Sequence, residues 1–193
     1  MTSESQNRQP MGNNRTLMMV VVGVVVLIAV GLGLFFILHK STTHKKGGGA
    51  KTSRIGPVLM TSSQLKTESR ILSTPIYWAG PLKGYTYEFT RTTTGFLYVR
   101  YLPKGLRANA PGANFLIIST YPFISAYSGL KKAAHGAQIA GPNDSILLVN
   151  ASYRKSVLIA WPGVDYQVEV YDPKPAIAIT IAQSGQVGTV RGG

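Results

Sequence analysis

The chain has 193 residues, with 20 Lys and Arg against 7 Asp and Glu, for a net charge of +13. Cysteine is absent, which excludes a disulfide framework, thiolate metal sites and cysteine nucleophiles. The length predicts one folded domain with an accessory segment, and a basic excess of this kind suits nucleic acid, an anionic surface or an acidic polymer.

Residues 1–16 are polar, carry Arg8, Arg15 and Glu4, and read as a disordered head. Residues 17–38, LMMVVVGVVVLIAVGLGLFFIL, carry no charge. As a helix rising 1.5 Å per residue they extend about 33 Å, enough for a hydrocarbon core of about 30 Å. A domain this small has no interior for a helix that is apolar on every side. The run is longer than the apolar region of a cleaved signal peptide and no small-x-small exit follows it. The expectation is a retained transmembrane helix, a signal anchor of a single-pass protein. Ala29 and Gly33 form a small-xxx-small pair through which such a helix could self-associate.

Residues 39–60 hold Lys40, Lys45, Lys46, Lys51 and Arg54 around Gly47 to Gly49, a basic Gly/Ser/Thr linker. Its root could lie on anionic lipid or a wall polymer. The positive-inside rule applied to these five residues places the following domain in the cytoplasm; the tether-like composition points outward. The reading taken is a cell-membrane protein with an extracytoplasmic C-terminal domain.

Residues 61–183 read as a β-rich domain. TSSQLKTESRIL, from residue 61, fits either a strand or a short helix. YTYEFTR, 85–91, alternates with Tyr85, Tyr87 and Phe89 on one face, and TTTG, 92–95, is a turn. FLYVRYL, 96–102, is largely apolar on both faces and so predicts a strand covered on two sides, ended by Pro103. NFLIISTY, 114–121, predicts another buried strand. A short helix carrying Leu130, Ala133 and Ala134 follows, starting at Ser128 or near Ser125 and stopping at Gly136. SILLVN, 145–150, and SVLIAW, 156–161, predict strands around ASYRK. DYQVEVYD, 165–172, and AIAITIA, 176–182, both alternate and predict a hairpin across Asp172-Pro173-Lys174. Residues 184–193 read as a flexible tail. The fold class expected is therefore a single N-terminal transmembrane helix followed by a mainly antiparallel β domain, sandwich- or barrel-like, or α+β with one short helix.

Little chemistry is legible. His39 and His44 flank the linker, and His135 sits where a helix C-terminus would hold it. No GxSxG elbow, Walker sequence or strand-following GxGxxG occurs. Glu88 and Glu169 fall opposite Tyr85 and Val168 and read as solvated strand faces rather than a catalytic carboxylate pair. GPNDS, 141–145, is a turn too poor in acidic ligands for calcium. Tyr98 and Tyr101 alternate onto opposite faces, so the basic–aromatic stretch around them makes no stacking platform for nucleic acid. No catalytic residue, cofactor site or metal site is expected.

Trp78 in WAGP and Trp161 in WPG each precede a Pro/Gly bend, where loops expose rings. Tyr77, Trp78, Trp161, Tyr166 and Tyr171 are the candidate ligand-contacting residues, set against the alternative that they cover the rim of a core. The function expected is a membrane-anchored, non-enzymatic interaction domain at the cell envelope with an envelope protein as partner. The alternatives are a cytoplasmic-face membrane docking module, a glycan- or anionic-polymer-binding domain, and an envelope hydrolase.

Overall fold

The computed structural model describes residues 55–112, 114–149 and 153–190. In chain order these form β1 (Val58–Met60), α1 (Ser62–Ile71), β2 (Tyr77–Trp78), β3 (Tyr85–Arg91), β4 (Leu97–Pro103), β5 (Ile117–Pro122), α2 (Ala126–Ala133), β6 (Ile139–Ala140), β7 (Ile146–Val149), β8 (Ser156–Ala160), β9 (Tyr166–Tyr171), α3 (Pro175–Gln183) and β10 (Gly188–Thr189). Eight strands build one antiparallel sheet in the order β1-β3-β4-β5-β9-β8-β7-β6, and β2 pairs with β10 in a separate two-stranded ribbon.

Side-chain alternation divides the sheet cleanly, because every register step keeps like faces together. Phe89, Val99, Ile118, Val170 and Val157 follow one another across β3, β4, β5, β9 and β8 on the main-core face. That face is covered by Leu65 of α1, by Ala178 and Ala182 of α3, and by the aromatic residues of the ribbon. The reverse face carries Glu88, Arg100, Ser119 and Glu169 and lies under α2, which buries Ala126 and Leu130, and under the loop that follows β4. With both faces covered, most of β4 is buried, as its doubly apolar pattern predicts.

α1 starts on a full capping box: Thr61 Oγ1 accepts from the Gln64 N–H and Gln64 Oε1 accepts from the Thr61 N–H. The undecided segment is thus a helix. α2 begins at Ser125, not at Ser128; Ser125 is left-handed at φ 58° and offers no side-chain cap. Asp165 Oδ1 instead takes the Ser125 N–H at 2.8 Å.

The expected hairpin of residues 165–182 does not form. AIAITIA is helix α3, opened by Pro175 in its first turn. Its alternating Ile residues are misleading, since Ala178 and Ala182, one helical turn apart, make the buried contact and Ile177 is exposed. Two small residues let the helix sit close on β8 and β9. Strand β1 lies within the stretch expected as linker, and β10 within the expected tail.

The fold-class expectation is corrected accordingly. The described residues form a mainly antiparallel β-sheet domain with three short helices, and no helix among them is long and apolar enough to cross a membrane. Residues 17–38, on which the transmembrane expectation rested, lie outside the described residues, as do 1–16 and most of the basic linker. The structure gives the membrane reading no support. The signal anchor, its self-association, the bilayer, anionic-lipid, wall-polymer and envelope-protein partners, the cell-membrane placement, and the envelope, docking and polymer-binding functions built on it are set aside.

Candidate ligand-binding cleft

The five candidate aromatic residues do not meet at one place. Trp78 is buried among the main-core side chains, edge-on to Tyr87 at 5.7 Å and 71°. Tyr171 points to the reverse face and stacks on Tyr153 at 5.9 Å. Tyr77 and Trp161, 84 positions apart in sequence, stack with ring centroids 5.3 Å apart and planes 17° from parallel. Tyr166 is on the same face of β9 as Val168 and close enough for its phenol to add to the upward shift that burial imposes on Tyr77.

Backbone contacts hold the pair in place. The Tyr77 N–H donates to Thr120 Oγ1 of β5 at 3.3 Å, fixing the ribbon on the sheet. Two residues on, the Tyr101 hydroxyl accepts from the Ala79 N–H at 2.7 Å and donates to the Gly80 carbonyl at 3.1 Å. Trp161 leaves β8 at the start of a Pro-Gly turn, with Gly163 at φ 70° and the Val164 N–H returning to the Trp161 carbonyl at 3.3 Å. This is type II turn chemistry, and it leaves the indole half-buried at the sheet rim.

A cleft of about 430 Å³ opens beside the stacked rings. Pro162 and Val164 line one side of it, and Gly188 of β10 with Val187 just before it line another. The third side is the tip of the β6–β7 hairpin, Asn143 and Asp144. That turn is closed by the Ser145 N–H to the Pro142 carbonyl at 3.2 Å, with Asn143 at φ 54° and Asp144 at φ 60°. Two left-handed central residues define a type I′ hairpin turn. At its base Gly141 has no room for a side chain, since a Cβ there would lie 2.3 Å from Ser145 Oγ.

Sequence reasoning missed Asn143, Asp144 and Gly188, because only the β2–β10 pairing and the hairpin bring them beside Tyr77. The clue was present in GPNDS, whose consecutive Asn and Asp are residues that tolerate left-handed backbone.

The acidic residues also differ from expectation. Glu88 and Glu169 are buried, not solvated, because α2 and the loop after β4 cover the face they share. Glu88 pairs with Arg100, its cross-strand neighbour, at 2.7 Å. Glu169 Oε2 accepts from the Tyr121 hydroxyl at 2.7 Å. Burial raises the Glu169 carboxyl above its ordinary value, with the hydroxyls of Ser156 and Tyr121 opposing the shift. Burial also pushes Tyr98 up to about 12, helped by the Glu169 charge and opposed by Tyr121. Neither carboxylate opens on the cleft. His135 is exposed just past α2 at φ 46°, and among the described residues no group of three or more His, Cys, Asp or Glu could hold a metal.

The raised Glu169 carboxyl has a directional consequence. Above its ordinary pKa of 4.5 the unfolded chain releases this proton while the folded chain keeps it, so stability falls as pH rises towards the folded value and levels off beyond it. Glu169→Gln cannot titrate but keeps an oxygen for Tyr121. The expected result is that the variant gains on the parent chain in denaturant titrations as the pH is raised above the ordinary value of 4.5. A stability difference that is constant with pH would contradict the assignment.

No protein-family model, curated protein or solved structure matches the chain.

Proposed function

We propose that this chain is a non-enzymatic binding protein that takes a short segment of a partner protein into the cleft beside Tyr77 and Trp161. The observation that carries this reading is the stacked pair itself, with Tyr77 buried in the core and held by its N–H to Thr120 Oγ1, and Trp161 lying over it half-buried at the sheet rim. Preorganised aromatic side chains in a formed cleft lose little entropy on binding and supply most of the contact energy of small interfaces. The cleft volume lies in the range of about 300–1,000 Å³ typical of ligand sites. Its lining mixes two rings and apolar walls with one amide and one carboxylate, a composition suited to holding a segment rather than to paired acid–base chemistry.

Gly188 supplies the test. Its φ is not left-handed, and a Cβ added there meets nothing within 4 Å, so Gly188→Met sends a side chain into the open cleft without straining the backbone. Segments selected from a displayed peptide library on the full-length chain are expected to lose at least tenfold in affinity for Gly188→Met and for Trp161→Ala, about 1.4 kcal/mol or more. The thermal unfolding of Gly188→Met should be unchanged or slightly raised. Selected segments that bind Gly188→Met as tightly as the parent chain would overturn the reading.

A further inference from the structure

Among the described residues, Asp144 is the only formally charged one lining the cleft. The rest of the chain is strongly basic, and most of its acids are committed elsewhere. Glu88 is held by Arg100 and the Asn109 N–H, and Glu169 by Tyr121. Asp165 holds the Ser125 N–H, and Asp172 the Lys174 N–H. Asp144 has no hydrogen-bond or ion-pair partner among the described residues and is exposed. It occupies the second left-handed position of its turn, where glycine costs the backbone least. A free carboxylate is thus held at the mouth of a cleft walled by two stacked rings.

We propose that the cleft recognises its partner segment through an arginine side chain, the guanidinium lying between the Asp144 carboxylate and the ring of Trp161. This rests on the binding reading given above and adds the chemistry of the ligand. A carboxylate beside an aromatic wall is complementary to a cation, since both the charge and the ring quadrupole attract one. The planar guanidinium matches the two together better than an ammonium does: it can lie flat on an indole while its edge donates two parallel bonds to a carboxylate. A cation that misses this cleft meets a surface of like charge, so the carboxylate contributes selectivity as well as affinity.

The two tryptophans provide the measurement, because the sequence contains two and Trp78 is buried and does not line the cleft. In the full-length chain labelled with fluorotryptophan, Trp161→Phe assigns the two fluorine signals. Titration with N-acetylarginine methylamide is expected to move the Trp161 signal in the millimolar range while the Trp78 signal stays fixed. The citrulline analogue, equal in shape but uncharged, should bind about fivefold more weakly. The lysine analogue should fall between them. Asp144→Asn should bring the arginine probe down to the affinity of the citrulline probe. Equal binding of arginine and citrulline probes, an arginine preference that survives in Asp144→Asn, or no movement of Trp161 with any probe overturns the proposal. If arginine and citrulline bind equally and Gly188→Met abolishes both, the cleft still binds and only the arginine assignment fails.

Discussion

Glu88→Ala and Arg100→Ala should each lower the unfolding free energy by about 3–5 kcal/mol, because either leaves an uncompensated charge inside the fold. The pair is cross-strand on the reverse face, both side chains nearly inaccessible at 6% and 3%. The guanidinium also donates to the Ala110 carbonyl at 2.7 Å and lies 4.9 Å from the Phe115 ring. Glu88 accepts in addition from the Asn109 N–H. One ion pair therefore closes the loop after β4 onto the sheet. The double variant Glu88→Leu/Arg100→Met should recover much of the loss, since an apolar pair of similar volume replaces the charges. It should not recover all of it, because the Asn109 N–H and Ala110 carbonyl still lose their partners. Denaturant titration of the parent chain, the two alanine variants and the double alanine variant measures the coupling. Strict additivity of the two single effects would show that the pair is not a unit. Both single variants should also become more sensitive to proteolysis at Arg107.

Tyr101→Ala should cost about 3–5 kcal/mol, the cost of truncating a fully buried aromatic residue. Tyr101 is 0% exposed and sits edge-on to Tyr87 at 5.1 Å and 90°. Tyr101→Phe keeps the ring and removes only the hydroxyl that bridges the Ala79 N–H and the Gly80 carbonyl. That change should cost about 1–3 kcal/mol. The two variants separate packing from positioning. The Phe variant should speed amide exchange at Ala79 and Trp78 and weaken segment binding at the cleft, because the exit of β2 is then untethered. Unchanged exchange in that variant would mean that the ribbon is held by Thr120 and β10 alone.

The cleft was half legible in the sequence. Period-two alternation located β3, β4 and β9 and assigned Tyr85, Tyr87 and Phe89 to the core; Tyr87 and Phe89 are buried there, but Tyr85, at the strand start, is exposed. The Pro/Gly bends beside the tryptophans gave Tyr77 and Trp161 as two of five candidates, together with Trp78, Tyr166 and Tyr171. The sequence could not show which of Tyr77 and Trp78 borders the cleft, since that depends on a pairing with Gly188 and Thr189 far along the chain. The expectation of an open Trp78 is corrected: Tyr77 and Trp78 are both buried in the core, and Tyr77 alone of the two reaches the cleft lining, under Trp161. AIAITIA was misread because Ile177, Ile179 and Ile181 satisfy a strand pattern while Ala178 and Ala182 satisfy a helix pattern, and packing chose the smaller pair. Glu88 and Glu169 were misread because a polar strand face normally marks solvent, whereas here each carboxylate meets a specific donor under a covering layer.

The outer strands of the sheet say how a partner can approach. β1 has three residues and β6 has two, so the main-chain groups left open along either margin amount to a few donors and acceptors. An invading strand would gain almost no ladder from them, a safeguard against end-to-end stacking of copies. Recognition by added backbone, which reads mostly length and extension, is closed to such a fold. The proposed recognition, by a single side chain dropped into a fixed recess, then predicts partner segments that tolerate wide changes of sequence around one anchoring position and almost none at it.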